Sequence, residues 1–408
     1  MRLLNAHTRE FKEFFNADVP PYAILSHTWE AEEVSLQEFP QANAIAKAGY
    51  RKIDKFCQLI TKLGFTYGWV DTCCIDKSSS AELSEAINSM FKWYEKSTIC
   101  IAYLADVPGN LDITSSAGQD LAKSRWWTRG WTLQELLAPP AVSFIASNWE
   151  DVGTRDSLAE LISDITGIGY NLLTTGGLEY YRQGRLERLR TTTIAEKLSW
   201  AAKRTTTRKE DTAYCLLGLC GVNMPLLYGE GSAAFLRLQE AIIRQNFDPS
   251  LLAWGIDENA LESDQPQYPS RWLSISRTML GMESPWHHRE YPTSPQYHGI
   301  LAESPQAFTK CGQIVNMETI TEWDLTMKGL SIQLPTSFGD KKWMLLPCYL
   351  KGDPWSLLGV PISVDPFGVF HRASSLQLID RRRSPFYRPG QTTKNCELSW
   401  RQASGVWI

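Results

Sequence analysis

Four short apolar runs separated by segments of helical periodicity constrain the fold of this chain more than any other feature. They are YAILS (22–26), YGWVD (67–71), TICIAYL (98–104) and VSFIA (142–146). Runs this short and this apolar read as strands buried on both faces, the signature of a parallel sheet. Between the first two, Ile53, Phe56, Cys57, Ile60 and Leu63 recur at helical spacing over 49–63, and Gly64 stops the helix. Ser79 and Glu82 then form an S-x-x-E capping box. The helix it opens carries Leu83, Ile87, Met90, Phe91 and Tyr94 on one face. A polar loop rich in Gly and Ser (108–120) precedes a helix through 131–137 and the last strand. The alternation predicts an α/β fold over residues 1–150, a parallel sheet flanked by helices.

Residues 151–250 read as helical. Leu158, Leu161, Ile162 and Ile165 share one face, and Ile194, Leu198 and Ala201 another. EDTAYCLLGLCG reads as one helix ended by Gly221, and 232–245 as a further one. From about 265 Pro and Ser increase, and LSIQL (330–334), WMLLPCYL (343–350) and SLQLID (375–380) suggest strands. A β-rich C-terminal domain is expected over 265–408. Arg381, Arg382 and Arg383 stand beside a Pro and read as a solvated turn.

A length of 408 residues suggests two or three domains. With 41 basic and 45 acidic residues the net charge is −4, which argues against nucleic-acid binding. Nine Cys, odd in number and without repeated spacing, do not form a secreted disulfide framework. Cys57, Cys100 and Cys215 sit in apolar patterns and read as small core hydrophobes. The start, MRLLNAHTREFKEFF, lacks the apolar run of a signal peptide. The longest apolar stretch, Tyr214 to Tyr228, is too short and too interrupted to span a bilayer. A soluble, cytoplasmic protein with no membrane span is expected.

Ligands of α/β sheets bind at the C-terminal ends of the strands. His27 and Trp29 lie at that end of the first strand; Trp69, Asp71, Cys74 and Asp76 lie on or just after the second. Arg129, Trp131 and Glu135 lie on a helix packed near the same edge. Three chemistries compete for these residues. A zinc site built on Cys73, Cys74 and His27 lacks the usual C-x-x-C spacing, and adjacent Cys on a strand point to opposite faces. A thiol hydrolase would use Cys74 with His27 as base and Asp71 or Asp76 as orienter. A carboxylate reading uses Glu135: one carboxylate suffices to cleave an N-glycosidic bond when the leaving group is already cationic, as nicotinamide is in NAD. Trp29, Trp69 or Trp131 would stack on the ring. Against all three stands a structural role, with Glu135 paired to Arg129. Arg204 and Arg208 read as a solvated face, Glu210 and Asp211 as first-turn acids of a helix, and GEG (229–231) is not a phosphate loop.

YAILSHTW, the GYRKIDKFC helix, YGWVDTCCIDKSSSAELSEAINSMFKWYEKSTICIAYLADV, SRWWTRGWTLQELLAP and RTTTRKEDTAYCLLGLCGVNMPLLYGEGSAAFLRLQEAII together resemble the HET (heterokaryon incompatibility) family of filamentous fungi. The resemblance covers about residues 20–245, with Glu30 where the family has Gly after SHTW. It implies a role in fungal non-self recognition and regulated cell death, and a core similar to the TIR fold, whose NAD-cleaving members carry a required Glu on a helix after the third strand. Glu135 holds that place in the element order. On that reading Arg129 would orient Glu135 or bind phosphate, Trp29, Trp69 and Trp131 would line the pocket, and His27, Asp71 and Asp76 would be polar positioners. NAD is then a substrate, with no resident cofactor or metal. Self-association on activation and an incompatibility partner protein are expected.

Overall fold

The four apolar runs lie side by side at the centre of a seven-stranded sheet. In the computed structural model, residues 1–15, 18–109, 117–174, 179–245, 248–256, 299–317 and most of 323–399 are described. The chain divides into two units, Met1–Thr192 with Lys203–Ala241, and Thr193–Ala202 with Ile242–Ile408.

The strands of the first unit are β1 (Arg2–Asn5), β2 (Phe11–Glu13), β3 (Tyr22–His27), β4 (Tyr67–Trp69), β5 (Ile99–Leu104), β6 (Val142–Ala146) and β7 (Asp151–Thr154), in the spatial order β2-β1-β4-β3-β5-β6-β7. The pairings β4-β3, β3-β5 and β5-β6 are parallel; β1, β2 and β7 pair antiparallel. The sheet is therefore mixed, with parallel strands at its centre. The α-helices between β3 and β6 are α1 (Ala48–Lys62), α2 (Asp71–Cys74), α3 (Ser80–Lys96), α4 (Ala117–Ala122) and α5 (Thr132–Leu137). Every residue of β3 is buried, as expected for a central strand covered on both faces.

Several local readings need correction. MRLLNAHTREFKEFF, to which the sequence reading assigns no element, folds as the β1-β2 hairpin with Leu3 and Leu4 fully buried. Its strands are too short for periodicity to detect, and ladder pairing with β4 holds them. The second run ends at Trp69, and Asp71 opens a helical turn whose N-terminus favours its charge. Cys73 and Cys74 therefore lie on a helix, not on opposite faces of a strand. The capping box is half formed. Ser79 accepts from the Glu82 amide, but Glu82 turns to the Asp76 amide (2.7 Å) and Arg2 (2.8 Å). EDTAYCLLGLCG is two short helices, Asp211–Tyr214 and Leu217–Cys220, with Gly221 left-handed after the second. A Cβ on Gly218 would stand 2.0 Å from Cβ of Phe91, so only glycine lets this segment reach α3.

The C-terminal carbonyls of α5 are held by two buried guanidinium groups. Arg155 donates to Leu136 (2.8 Å), Pro139 (2.9 Å) and Pro140 (2.9 Å), and Arg185 to Leu137 (2.6 Å) and Pro139 (2.9 Å). Cations suit that end of a helix. Burial brings the Arg185 pKa down to about 8.

In the second unit an eight-stranded sheet contains Gly329–Leu334, Lys342–Leu346 and Gln377–Asp380. WMLLPCYL is two strands, because Pro347 cannot donate to a ladder; Cys348–Leu350 pairs instead with Ile314–Asn316. The texture change at 265 and Arg381–Arg383 lie outside the described residues.

Candidate functional site

At the C-terminal edge of the parallel strands, the first unit encloses a cavity of about 290 Å³. It is lined from the sequence-derived set by His27, Trp29, Asp71, Arg129, Trp131 and Glu135. Ile75 and α3 residues Leu83, Ile87 and Met90 supply an apolar wall, with Tyr94 beside it.

Glu135 is 7% exposed. Its Oε2 accepts the hydroxyl proton of Ser26, and Ser26 Oγ in turn accepts from Trp126 Nε1 (2.8 Å). Burial pushes the carboxyl up to about 8, against Ser26, Tyr94 and Arg129, which favour its charged form; nearby Asp71 adds to the rise. The Arg129 guanidinium itself turns to the Thr207 hydroxyl (3.2 Å).

His27 has a side chain 1% exposed between two carboxylates, Nε2 being 3.6 Å from Glu33 Oε2 and Nδ1 3.9 Å from Asp71 Oδ1. Neither ring nitrogen has a hydrogen-bond partner. Burial would raise Glu33, but His27 and buried Lys52 outweigh it and hold the carboxyl at about 2. The other oxygen of Asp71 accepts from Trp29 Nε1 (2.8 Å), fixing an indole that is 50% exposed at the mouth.

Three sequence-derived candidates stand elsewhere. Trp69 is in the core, edge-on to Trp93 and Tyr94. Cys74 is buried and its sulfur accepts from the Val70 amide (3.4 Å). The thiol–imidazole contact that a cysteine hydrolase needs is not formed. Asp76 faces Gln37 (2.6 Å) and Ser78 (2.6 Å), whose hydrogen bonds lower its pKa. Among the described residues, no cluster of His, Cys, Asp or Glu is arranged to hold a metal ion.

The remaining wall comes from the RTTTRKED segment, whose Arg204 and Arg208 read as a solvated face in the sequence, and from PLLYGEG, to which the sequence reading assigns no role. Thr207, Arg208, Asp211 and Tyr228 line the cavity. Tyr228 donates to Asp211 (2.9 Å), and Arg208 covers its ring at 4.4 Å. Arg204 is buried, donating to Arg129 O (2.9 Å) and Thr132 Oγ1 (2.9 Å). The Gly130 amide donates to Thr205 O (2.9 Å), joining this segment to the one that carries Glu135. Glu210 caps the loop instead of the helix, accepting from the amides of Gly229 (2.8 Å) and Gly231 (3.0 Å). The signal was present in sequence as charged residues flanking an apolar helix, but nothing local says which of them turn inward.

An α/β sheet with a carboxyl group buried in a cavity at its strand ends defines the class. Residues 22–111 match the family described as Heterokaryon incompatibility protein (HET). The chain is 42% identical over 253 residues to vegetative incompatibility protein HET-E-1 of Podospora anserina. That match covers 59% of this chain and 18% of the relative, so the chain spans less than a fifth of the length of that curated protein. Residues 233–335 match a domain of unknown function. No solved structure matches. His27, Trp29, Asp71 and Tyr94 fall inside the HET match, and Arg129, Trp131 and Glu135 beyond its end.

Proposed function

We propose that this chain acts in vegetative incompatibility and regulated cell death, and that its TIR-like first unit cleaves NAD at the nicotinamide–ribose bond. The observation that carries the chemistry is Glu135, a buried carboxyl in the wall of a cavity that also holds Trp131 one helical turn away. In the reaction water adds to C1′ of the ribose as the bond from C1′ to the ring nitrogen breaks. The electron pair goes to that nitrogen, nicotinamide leaves neutral, and the water gives up a proton. The products are ADP-ribose and nicotinamide. Positive charge gathers on the ribose in the transition state, and an ionised Glu135 stabilises it. Burial keeps this carboxyl protonated near neutral pH in the free protein; a bound pyridinium favours its charged form. The expected consequence is proton release on binding. Arg129 and Arg208 line the same cavity and are the guanidinium groups available for the diphosphate.

A second reading is a self-associating signalling module without catalysis, docking with an incompatibility partner. The Trp126–Ser26–Glu135 chain favours it, because a carboxyl held this way also serves as structure. The test is NAD loss in cells expressing the wild-type chain beside Glu135→Ala, with expression and folding checked for both. Depletion that disappears in the variant, with nicotinamide released by the purified chain, supports the hydrolase. Toxicity without depletion refutes it and favours assembly.

A further inference from the structure

We propose that the Trp29 face, with Asp71 at its edge, is a subsite for a pyridinium ring, and that Lys77 holds this place in the free protein. Lys77 Nζ stands 3.6 Å from the Trp29 ring centroid. It is also 3.9 Å from Asp71 Oδ2, the oxygen that accepts the Trp29 indole proton. A cation on an indole face beside a carboxylate is the arrangement that recognises quaternary nitrogen in a ligand. The two parts differ in freedom. The indole is pinned by its bond to Asp71, whereas the ammonium sits on a flexible four-carbon stem and makes only a long ion pair. The lysine can leave and the ring stays.

His27 lines the same cavity, with Nδ1 3.9 Å from Oδ1 of Asp71, the carboxylate that holds the Trp29 indole. The proposal rests on the reading of this site as one for NAD and names how its cationic ring is recognised. Its test does not depend on cleavage.

The test is calorimetric binding of 1-methylnicotinamide, a pyridinium without ribose or phosphate, to the full chain, with uncharged nicotinamide as control. Tighter binding of the cation is expected. Lys77→Met removes the competitor and tightens that binding by about 2- to 5-fold. Trp29→Leu abolishes the preference for the cation. Both side chains are at the mouth, and unchanged melting temperatures check that the variants fold. Equal binding of the two ligands overturns the proposal, as does weaker binding by Lys77→Met, which would make the lysine part of the ligand's grip. A cation preference lost in Trp29→Leu, in a chain that leaves NAD intact, overturns the hydrolase and keeps the subsite. NAD cleavage with no such preference does the reverse.

Discussion

The hydroxyl of Ser26, next to last in β3, donates to Oε2 of Glu135 on α5, 109 residues further along the chain. The same oxygen of Ser26 accepts from Trp126. A small polar residue at the end of a central strand thus orients the carboxyl group. Ser26→Ala leaves the buried Trp126 indole nitrogen and one Glu135 oxygen without partners. The expected cost is about 1–3 kcal/mol in denaturant unfolding. The Glu135 pKa rises above about 8 in the variant, because the lost bond favours the charged form. Carbon-detected NMR titration of Glu135 measures it, and an unchanged or lower value would show that Ser26 does not act on this group.

Glu135 also gives stability a pH dependence of definite sign. Its pKa rises from 4.5 to about 8 on folding. Below the unfolded value the group is neutral in both states and costs nothing. As pH rises from 4.5 to about 8 the unfolded chain ionises this carboxyl while the folded state keeps it protonated, so stability is lost across that window and levels off above it. Glu135→Gln stays neutral throughout. Its melting temperature should lie near the wild-type value at pH 5 and exceed it by several degrees at pH 9. Each pKa unit is worth about 1.4 kcal/mol, so the gain at high pH is several kcal/mol. Glu33 depends on pH in the opposite sense, losing stability as pH falls toward about 2, but it is present in both proteins and cancels. A gap between the two proteins that narrows with rising pH would contradict the assignment.

Gly130 is where the two halves of the cavity wall meet. A Cβ there would lie 2.5 Å from Thr206 Cγ2 and 3.1 Å from Cys215 Sγ. Gly130→Ala should force the 204–208 segment away from α5, at a cost of about 1–3 kcal/mol. Binding of 1-methylnicotinamide or NAD should weaken together with stability. A variant as stable as wild type would mean that this contact relaxes freely.

Arg155 is fully buried and also donates to the Leu173 carbonyl (3.1 Å). Arg155→Leu leaves the carbonyls of Leu136, Pro139 and Pro140 without this donor. A loss of roughly 3 kcal/mol or more is expected in urea unfolding, since each stranded buried acceptor costs about 1–3 kcal/mol. A loss below 1 kcal/mol would show that α5 does not need this clamp.

Much of the first unit could be read from local pattern. VSFIA became β6 with the expected ends, and the Phe56–Ile60 face became α1. His27, Trp29, Asp71, Arg129, Trp131 and Glu135 meet in one cavity because ends of adjacent parallel strands must be neighbours. Trp69, Cys74 and Asp76 share the same motif but not the cavity. The turn of α2 rotates Cys74 into the core, and Trp69 stays on the buried face of β4. A helix beginning two residues after a strand changes every direction that a strand reading assigns.

Sequence alone determined the central strands, the helices between them and the edge where a site would form. Those follow from short-range periodicity and from the handedness and packing of parallel strands. Only the tertiary structure decided that β1, β2 and β7 would complete a mixed sheet, that the 207–228 segments would close the cavity, and that Glu135 would be buried enough to stay protonated. Each depends on partners far along the chain, whose local patterns carry no record of what they will meet. A carboxyl group's charge depends on how many neighbours exclude water from it, and for Glu135 those neighbours come from β3, α3, α5 and a loop some seventy residues beyond.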